Sequence, residues 1–230
     1  TKGQPHEPVP ILNPLLGVCY NIKYGDFVVF EGPYGTGKSA TVLDIARVFP
    51  SNDKSIVVYL SYSIKDCQKL ADALIPHNIN FLAFSEDEKT RSDAGGLLLA
   101  LKTVNLAKRL RNQGYRVLTI IENINEVIRR EVSMLKNFQQ PIAPFSIVNE
   151  LYCESGAPSS VGYGDLTTIL TMVEDTDKNR VDGGYLARTP YVNSLSHIHS
   201  LVLPIKFPLE LRINQNPRPI ARHINHLLQL

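Results

Sequence analysis

Cysteine is scarce: Cys19, Cys67 and Cys153 are the only three in 230 residues, odd in number, widely spaced and in no C-x-x-C arrangement. That excludes a disulfide framework and implies no metal site, so the cysteines read as reduced core or surface thiols of an intracellular protein. Net charge is also small, at +2. Nucleic acid is therefore not an expected partner and a membrane surface is unsupported, although the residues after Arg188 are distinctly basic. Apolar runs fall far short of the roughly 20 residues a membrane span needs, and no signal peptide is visible. The expectation is a soluble protein without a transmembrane segment. Internal repeats are lacking too. The chain begins at Thr1 without an initiator Met, a trace that removal of an organelle transit peptide, among other causes, would leave; the expected compartment is intracellular, mitochondrial matrix or cytoplasm.

What is present suits one large α/β domain: 43% of the residues are hydrophobic and 20% charged, enough for a full core and against a second independent domain. The chain is organised around Asp26 to Ser39, DFVVFEGPYGTGKS. A short apolar strand runs into Gly32-Pro33-Tyr34-Gly35-Thr36-Gly37-Lys38-Ser39, which fits the Walker A pattern G-x-x-x-x-G-K-S. Glycines let successive backbone N–H groups point inward, Lys38 is suited to reach β- and γ-phosphates, and the Ser39 hydroxyl is suited to ligate Mg²⁺. A helix expected from Lys38 adds its dipole where phosphates would sit. The plainer alternative is a glycine-rich turn that happens to carry Lys and Ser. The strand before and the amphipathic segment after (Ala40, Val42, Leu43, Ile45, Ala46, Val48) weigh against it.

Along the chain, residues 1–10 carry three prolines and read as an extended lead-in, with a short helix or turn over Ile11 to Leu16. The P-loop helix is expected to stop at Pro50. Ser55 to Ser61 is a continuous apolar run, the mark of a strand buried on both faces of a parallel sheet. Residues 64–75 are helical by period, Phe81 to Phe84 is a short strand, and Ser85 to Arg91 a charged loop. A long helix is expected from Ser92 to Gln113, with Leu97, Leu98, Leu101, Val104, Leu106 and Leu110 on its apolar side and Gly114 as stop signal. Arg116 to Ile124 is a strand carrying Glu122, an acid at the edge that would hold a Mg²⁺ water shell. The alternative for Glu122 is an ordinary strand-ending carboxylate. Helices at 126–138 and 145–153, a loop at 155–160, a strand at 165–173 and a charged loop at 174–182 follow. The last third is interrupted by prolines and ends in a helix near Ile220 to Leu228. This alternation specifies a mostly parallel sheet flanked by helices, with ligand at the strand C-termini.

These stretches resemble the nucleotide-binding domain of the α/β-type subunits of rotary ATPases, the F-, V- and archaeal-type ATP synthases. Gly32 to Ser39 is similar to the family's G-P-F-G-x-G-K-T loop. Leu106 to Asn123 matches its helix and following strand, E-Y-F-R-D-x-G-x-D-V-L-L-F-I-D-N. Leu166 to Asp175 looks like the strand that leads into an acidic loop, and Asp182-Gly183-Gly184-Tyr185-Leu186 sits where the family has D-G-Q-I-x-L. The resemblance runs from about residue 8 to 215, and the family's β-barrel and helical bundle have no counterpart. It implies a RecA-like P-loop NTPase fold, with a lead-in at 1–10, a nucleotide-binding domain at 11–215 and a helical tail at 216–230. It implies ATP/ADP and Mg²⁺ as cofactors, with nucleotide on Gly32, Gly35, Thr36, Gly37, Lys38, Ser39 and Ala40, metal on Ser39 and Glu122, and catalytic roles for Lys38 and Glu122. Homologous or paralogous subunits in a ring or larger complex are the implied partners. Ion transport is the implied setting, with membrane association only through that complex.

Departures from the family pattern bear on activity. Where catalytic subunits carry Gly-Glu-Arg, this chain has Ser61-Tyr62-Ser63, and a phenol with a reference pKa of about 10 is a poor general base near neutrality. Asp66 is the nearest carboxylate, read either as a substitute base or as a helix N-terminal acid favourable to the dipole. Arg212 falls near the family's arginine finger without matching its place after the segment that Pro204 to Leu209 resembles; otherwise it is a surface or interface residue. His197 with His199, and His223 with His226, have metal-like spacing but no acid or cysteine nearby. Arg129-Arg130 reads as a solvated face, or else a partner contact. The basic tail with Arg218, Arg222 and His223 reads as a helix end or partner-facing surface, or else an RNA contact. The expectation is a Mg-ATP-binding subunit weak or silent in hydrolysis. The alternatives are an active ring ATPase or helicase of Rho-like type, or a structural or assembly paralogue.

Overall fold

Strands form where β-branched and aromatic residues run together, and the two faces of the resulting sheet explain why those runs are apolar without alternation. The computed structural model describes residues 22–32, 37–86, 91–137, 146–155, 163–173 and 202–204. Its strands are β1 (Phe27–Gly32), β2 (Ser55–Leu60), β3 (Phe81–Phe84), β4 (Arg116–Ile121), β5 (Leu166–Val173) and β6 (Val202–Pro204). Its helices are α1 (Lys38–Arg47), α2 (Ile64–Leu74), α3 (Asp93–Asn112), α4 (Ile124–Asn137) and α5 (Ser146–Ser155). The strands make one sheet in the order β3-β2-β4-β5-β1-β6, and every pairing is parallel. The chain is thus an α/β protein with an all-parallel sheet flanked by helices.

Alternate residues of each strand feed opposite layers. Val28 and Phe30 of β1, Val57 and Tyr59 of β2, Leu118 and Ile120 of β4 pack with Val42, Ile45 and Ala46 of α1 and Leu70 and Leu74 of α2. Phe27, Val29, Leu60, Ile121 and Leu170 pack on the other side with Ala100 and Val104 of α3, Val127 and Ile128 of α4, and Ile147 and Leu151 of α5. The path moves from β1 out to β2 and β3, then returns through β4 and β5 to lie beside β1. Strand C-termini on either side of such a reversal frame a crevice.

Local signals set several boundaries. Ser92 caps α3 by accepting the Gly95 N–H at 3.0 Å, Asp93 lies in its first turn and Arg109 and Arg111 in its last, each favourable to the helix dipole. Gly114 then leaves the helix with φ 87°, the left-handed conformation that glycine adopts without Cβ strain. Other readings need correction. α1 ends at Arg47, before Pro50. The buried stripe of α3 is Gly96, Ala100, Thr103, Val104 and Ala107, whereas Leu98 is 52% exposed and Leu97 and Leu101 only border the core. Small residues let α3 approach the sheet, and the leucines flank that contact. The three-residue β6 was not anticipated in the proline-broken last third; its Pro204 ends an outer strand, where a missing N–H is tolerated. The lead-in, the helical tail and the Asp182 to Leu186 stretch lie outside the described residues. No helix among the described residues is long and apolar enough to cross a membrane.

Candidate functional site

At the C-terminal edge of the sheet, β1 ends at Gly32 and α1 begins at Lys38 after Gly37, whose φ of 92° is left-handed. Gly37 also receives the first turn: its carbonyl accepts Thr41 N–H at 2.9 Å and Thr41 Oγ1–H at 3.1 Å. Lys38 is 8% exposed, and Ser39 and Ala40 lie on the outer side of the same turn. That turn carries no acid, so the positive end of the helix dipole is not offset there. Gly35 and Thr36 lie outside the described residues.

Glu122 stands directly after β4, its N–H donating to Leu60 O of β2 at 2.9 Å. The residue is 6% exposed. One carboxylate oxygen, Oε2, accepts the Ser39 hydroxyl at 3.2 Å and the Thr171 hydroxyl at 2.5 Å. The other, Oε1, is buried without a hydrogen-bond partner among the described residues. Burial pushes the Glu122 carboxyl above its ordinary range; the Thr171 and Ser39 hydroxyls oppose this, nearby Asp66 adds to it, and Lys38 offsets part of it. The meeting follows from topology. β5 lies between β1 and β4, so Ser39 and Glu122 come from elements two strand spacings apart, about 10 Å. Thr171, on the intervening strand, fills the gap. The extra methylene of Glu over Asp adds reach.

Thr171 escaped the sequence reading. It is buried near the end of β5 and accepts the Asn123 N–H at 2.8 Å. Asn123 itself has φ 55°, a left-handed turn that Asn tolerates better than most residues. Asn125 completes the junction, donating from Nδ2 to Val173 O at 3.1 Å while its Oδ1 accepts Val173 N–H at 2.9 Å. The sequence signal was available: Thr167, Thr168 and Thr171 put three hydroxyls into an otherwise apolar strand.

Tyr62, at the position where the resemblance puts a catalytic carboxylate, is packed into the α3 and α4 layer. Its hydroxyl donates to Gly96 O at 3.0 Å, and the Arg130 guanidinium lies 4.0 Å from its ring centroid. Burial holds the phenol well above its ordinary value. Asp66 occupies the first turn of α2, where its Oδ2 accepts the Ser61 hydroxyl at 3.3 Å and its Oδ1 the Lys69 ammonium at 3.0 Å. This is the arrangement of a helix N-terminal acid.

Arg130 corrects the solvated-face reading of Arg129-Arg130. It is 1% exposed and donates to Glu86 at 2.7 Å, Glu126 at 3.2 Å and Ser92 O at 3.2 Å. α4 turns Val127, Ile128, Arg130 and Glu131 inward together, and Gly96 leaves the space: a Cβ there would fall 1.3 Å from Arg130 Nη1. Arg129 does face solvent, bridging Glu126 and Asp93.

Among the described residues no group of three His, Cys, Asp or Glu side chains could hold a metal, and the free thiols are Cys67 and Cys153. Cys19, Arg212, Arg218, Arg222 and the four histidines at 197, 199, 223 and 226 lie outside those residues. Compared with known proteins, the chain matches no protein-family model and no curated protein.

Proposed function

We propose that this chain is a Mg-ATP-binding subunit of RecA-like P-loop type, resembling the α/β-type subunits of rotary ATPases, that holds nucleotide and cleaves it slowly or not at all. The observation that carries the reading is the Ser39–Glu122 hydrogen bond of 3.2 Å. It brings the hydroxyl of a G-K-S sequence against the carboxylate that follows β4, and on that carboxylate a buried Oε1 remains without a hydrogen-bond partner among the described residues. An oxygen-only pair of this kind fits a hard cation such as Mg²⁺, with Ser39 and Glu122 holding it directly or through water. When bound, the cation supplies charge neutralisation of phosphoryl oxygens. Lys38 supplies a second positive charge, Gly37 and Ala40 stand at the helix start, where backbone N–H groups favour phosphate, and the resemblance assigns Gly32, Gly35 and Thr36 to the same nucleotide. Slow cleavage is argued from Tyr62, whose hydroxyl proton is committed to Gly96 and whose ring is committed to Arg130. Homologous or paralogous subunits in a ring or larger complex would be its partners.

The test is nucleotide-dependent stability. Mg-ATP at about a hundredfold excess over Kd should stabilise the fold by roughly 2.7 kcal/mol. Lys38→Ala should remove that stabilisation without unfolding the protein. Equal melting shifts in wild type and variant would overturn the assignment.

A further inference from the structure

The hydrogen-bond polarity around Thr171 can be assigned without seeing a hydrogen atom. A backbone N–H can only donate, so the Asn123 N–H at 2.8 Å makes Thr171 Oγ1 an acceptor on that side. Its single proton is then directed to Glu122 Oε2, 2.5 Å away. The Ser39 hydroxyl also delivers its proton to Oε2, at 3.2 Å. Two protons therefore converge on one carboxylate oxygen. What remains are the lone pairs of Glu122 Oε1, buried and without a hydrogen-bond partner among the described residues, and those of Ser39 Oγ, whose proton is given to Oε2.

We propose that Thr171 is a positioning residue for a divalent cation, fixing the Glu122 carboxylate so that Oε1 and the lone pairs of Ser39 Oγ are presented together. The inference rests on the cation site of the proposed function and adds to it the residue that sets its affinity. β5 is inserted between β1 and β4, and Thr171, paired in register with Phe30 of β1, is placed to touch the acid that leaves β4. The same hydroxyl holds the backbone of Asn123, the next residue, so the carboxylate and the turn that carries it are fixed by one atom. Removing such an outer partner leaves the ligands in place but frees the carboxylate to rotate.

The experiment uses the full chain with Mn²⁺ as probe, read by the loss of the free-ion paramagnetic resonance signal, with and without ADP. Thr171→Val removes the hydroxyl at nearly constant volume and should weaken Mn²⁺ binding about ten- to hundredfold, while Thr171→Ser keeps it and should stay within about threefold of wild type. Rescue by serine separates hydroxyl from packing. Melting curves of each variant establish that it is folded, and Thr171→Ala carries the same comparison if Thr171→Val unfolds. Undiminished binding in a folded hydroxyl-free variant overturns the proposal, as does a Thr171→Ser loss equal to that of Thr171→Val. Absence of Mn²⁺ binding by wild type under both conditions overturns it too. Thr171-dependent Mn²⁺ binding in a protein that binds no fluorescent ATP analogue would leave the positioning role standing and remove the nucleotide reading.

Discussion

Arg130 lies over the ring of Tyr62, its guanidinium carbon 4.0 Å from the ring centroid. The stack joins the exit of β2 to α4, and the hydrogen bonds of Arg130 to Glu86 and Ser92 O add the segment that enters α3. A desolvated cation–π contact is worth about 2 kcal/mol. The larger consequence is electrostatic: Arg130 is the buried countercharge for Glu86, whose side chain is itself only 8% exposed.

Removing that countercharge should be costly. Breaking a buried pair from one side costs about 3–5 kcal/mol, and Arg130→Met should fall near the lower end because Arg91 remains 3.5 Å from Glu86 and Arg129 2.9 Å from Glu126. Gly96→Ala should be comparably destabilising, since its new Cβ would displace the guanidinium. Because both act on one contact, the double variant should lie within about 1 kcal/mol of the worse single variant. Urea unfolding of the four proteins checks this. Simple additivity would mean that Gly96 and Arg130 act independently.

The same cluster sets an acid limit. Burial raises the Glu86 carboxyl, but hydrogen bonds from Arg130 and Ser92 N–H, with the charges of Arg130 and Arg91, bring it below its ordinary 4.5. Glu126 is lowered chiefly by the Arg129 hydrogen bond. For depressed carboxyls the folded state binds protons less readily than the unfolded state, so their stabilisation is complete above the ordinary value and disappears as pH falls through the depressed one. Urea midpoints should drop below about pH 4.5 in wild type. Arg130→Met should flatten that drop. An unchanged acid slope in the variant would detach the effect from this cluster.

Parts of this architecture were legible because their causes are local. Ser92 and Gly114 bracket α3 through capping chemistry that involves only neighbouring residues, and the apolar run at 55–60 needed burial on both sides whatever covered it. Glu122 stood out as an acid ending such a run. The inward face of α3 was misread because leucines at 97, 98 and 101 outweigh, in any hydrophobicity count, the glycine and alanines that actually meet the sheet. Thr171 and Glu122 are 49 positions apart in the chain, and nothing in local pattern announces that β5 will lie between β1 and β4. Arg130 needed still more, since its burial depends on the missing side chain of Gly96 on another helix. The resemblance placed position 62 at the end of β2 but carried no information on where its side chain turns.

Glu122 should destabilise the ligand-free protein. Its carboxyl is raised by burial, so the folded state binds a proton more readily than the unfolded state. The stability from this group therefore falls as pH rises from the ordinary 4.5 through the raised value, and at neutral pH the buried charge is a net cost. Glu122→Gln should accordingly melt higher than wild type at pH 7.5, by about 2–4 °C for each kcal/mol relieved in a chain of this size. The difference should shrink towards pH 4, where both side chains are neutral, and Mg-ATP should stabilise the variant less. Scanning calorimetry at the two pH values decides it. A variant less stable than wild type at pH 7.5 would show that the Ser39 and Thr171 bonds outweigh burial.

Turnover gives the sharpest contrast between position in the chain and position in space. Where the family that the sequence resembles carries its water-activating Glu, Tyr62 points into the α3 and α4 layer, with its hydroxyl on Gly96 O and its ring under Arg130. A carboxylate introduced there by Tyr62→Glu would meet the Arg130 guanidinium first, and an ion pair inside that layer would hold it away from any water at the Lys38 and Glu122 edge. General-base help is worth about 10² to 10⁴ in rate only when the base reaches the proton it abstracts. Single-turnover cleavage of γ-labelled ATP, with Lys38→Ala as background, should therefore show slow wild-type cleavage and a Tyr62→Glu rate within about threefold of it, far below that range. A gain of about tenfold or more that Lys38→Ala abolishes would mean that side chain 62 does reach the reacting phosphate. The Tyr62–Arg130 stack would then be one of two positions, with the β2 exit free to turn from the α3 and α4 layer to the site.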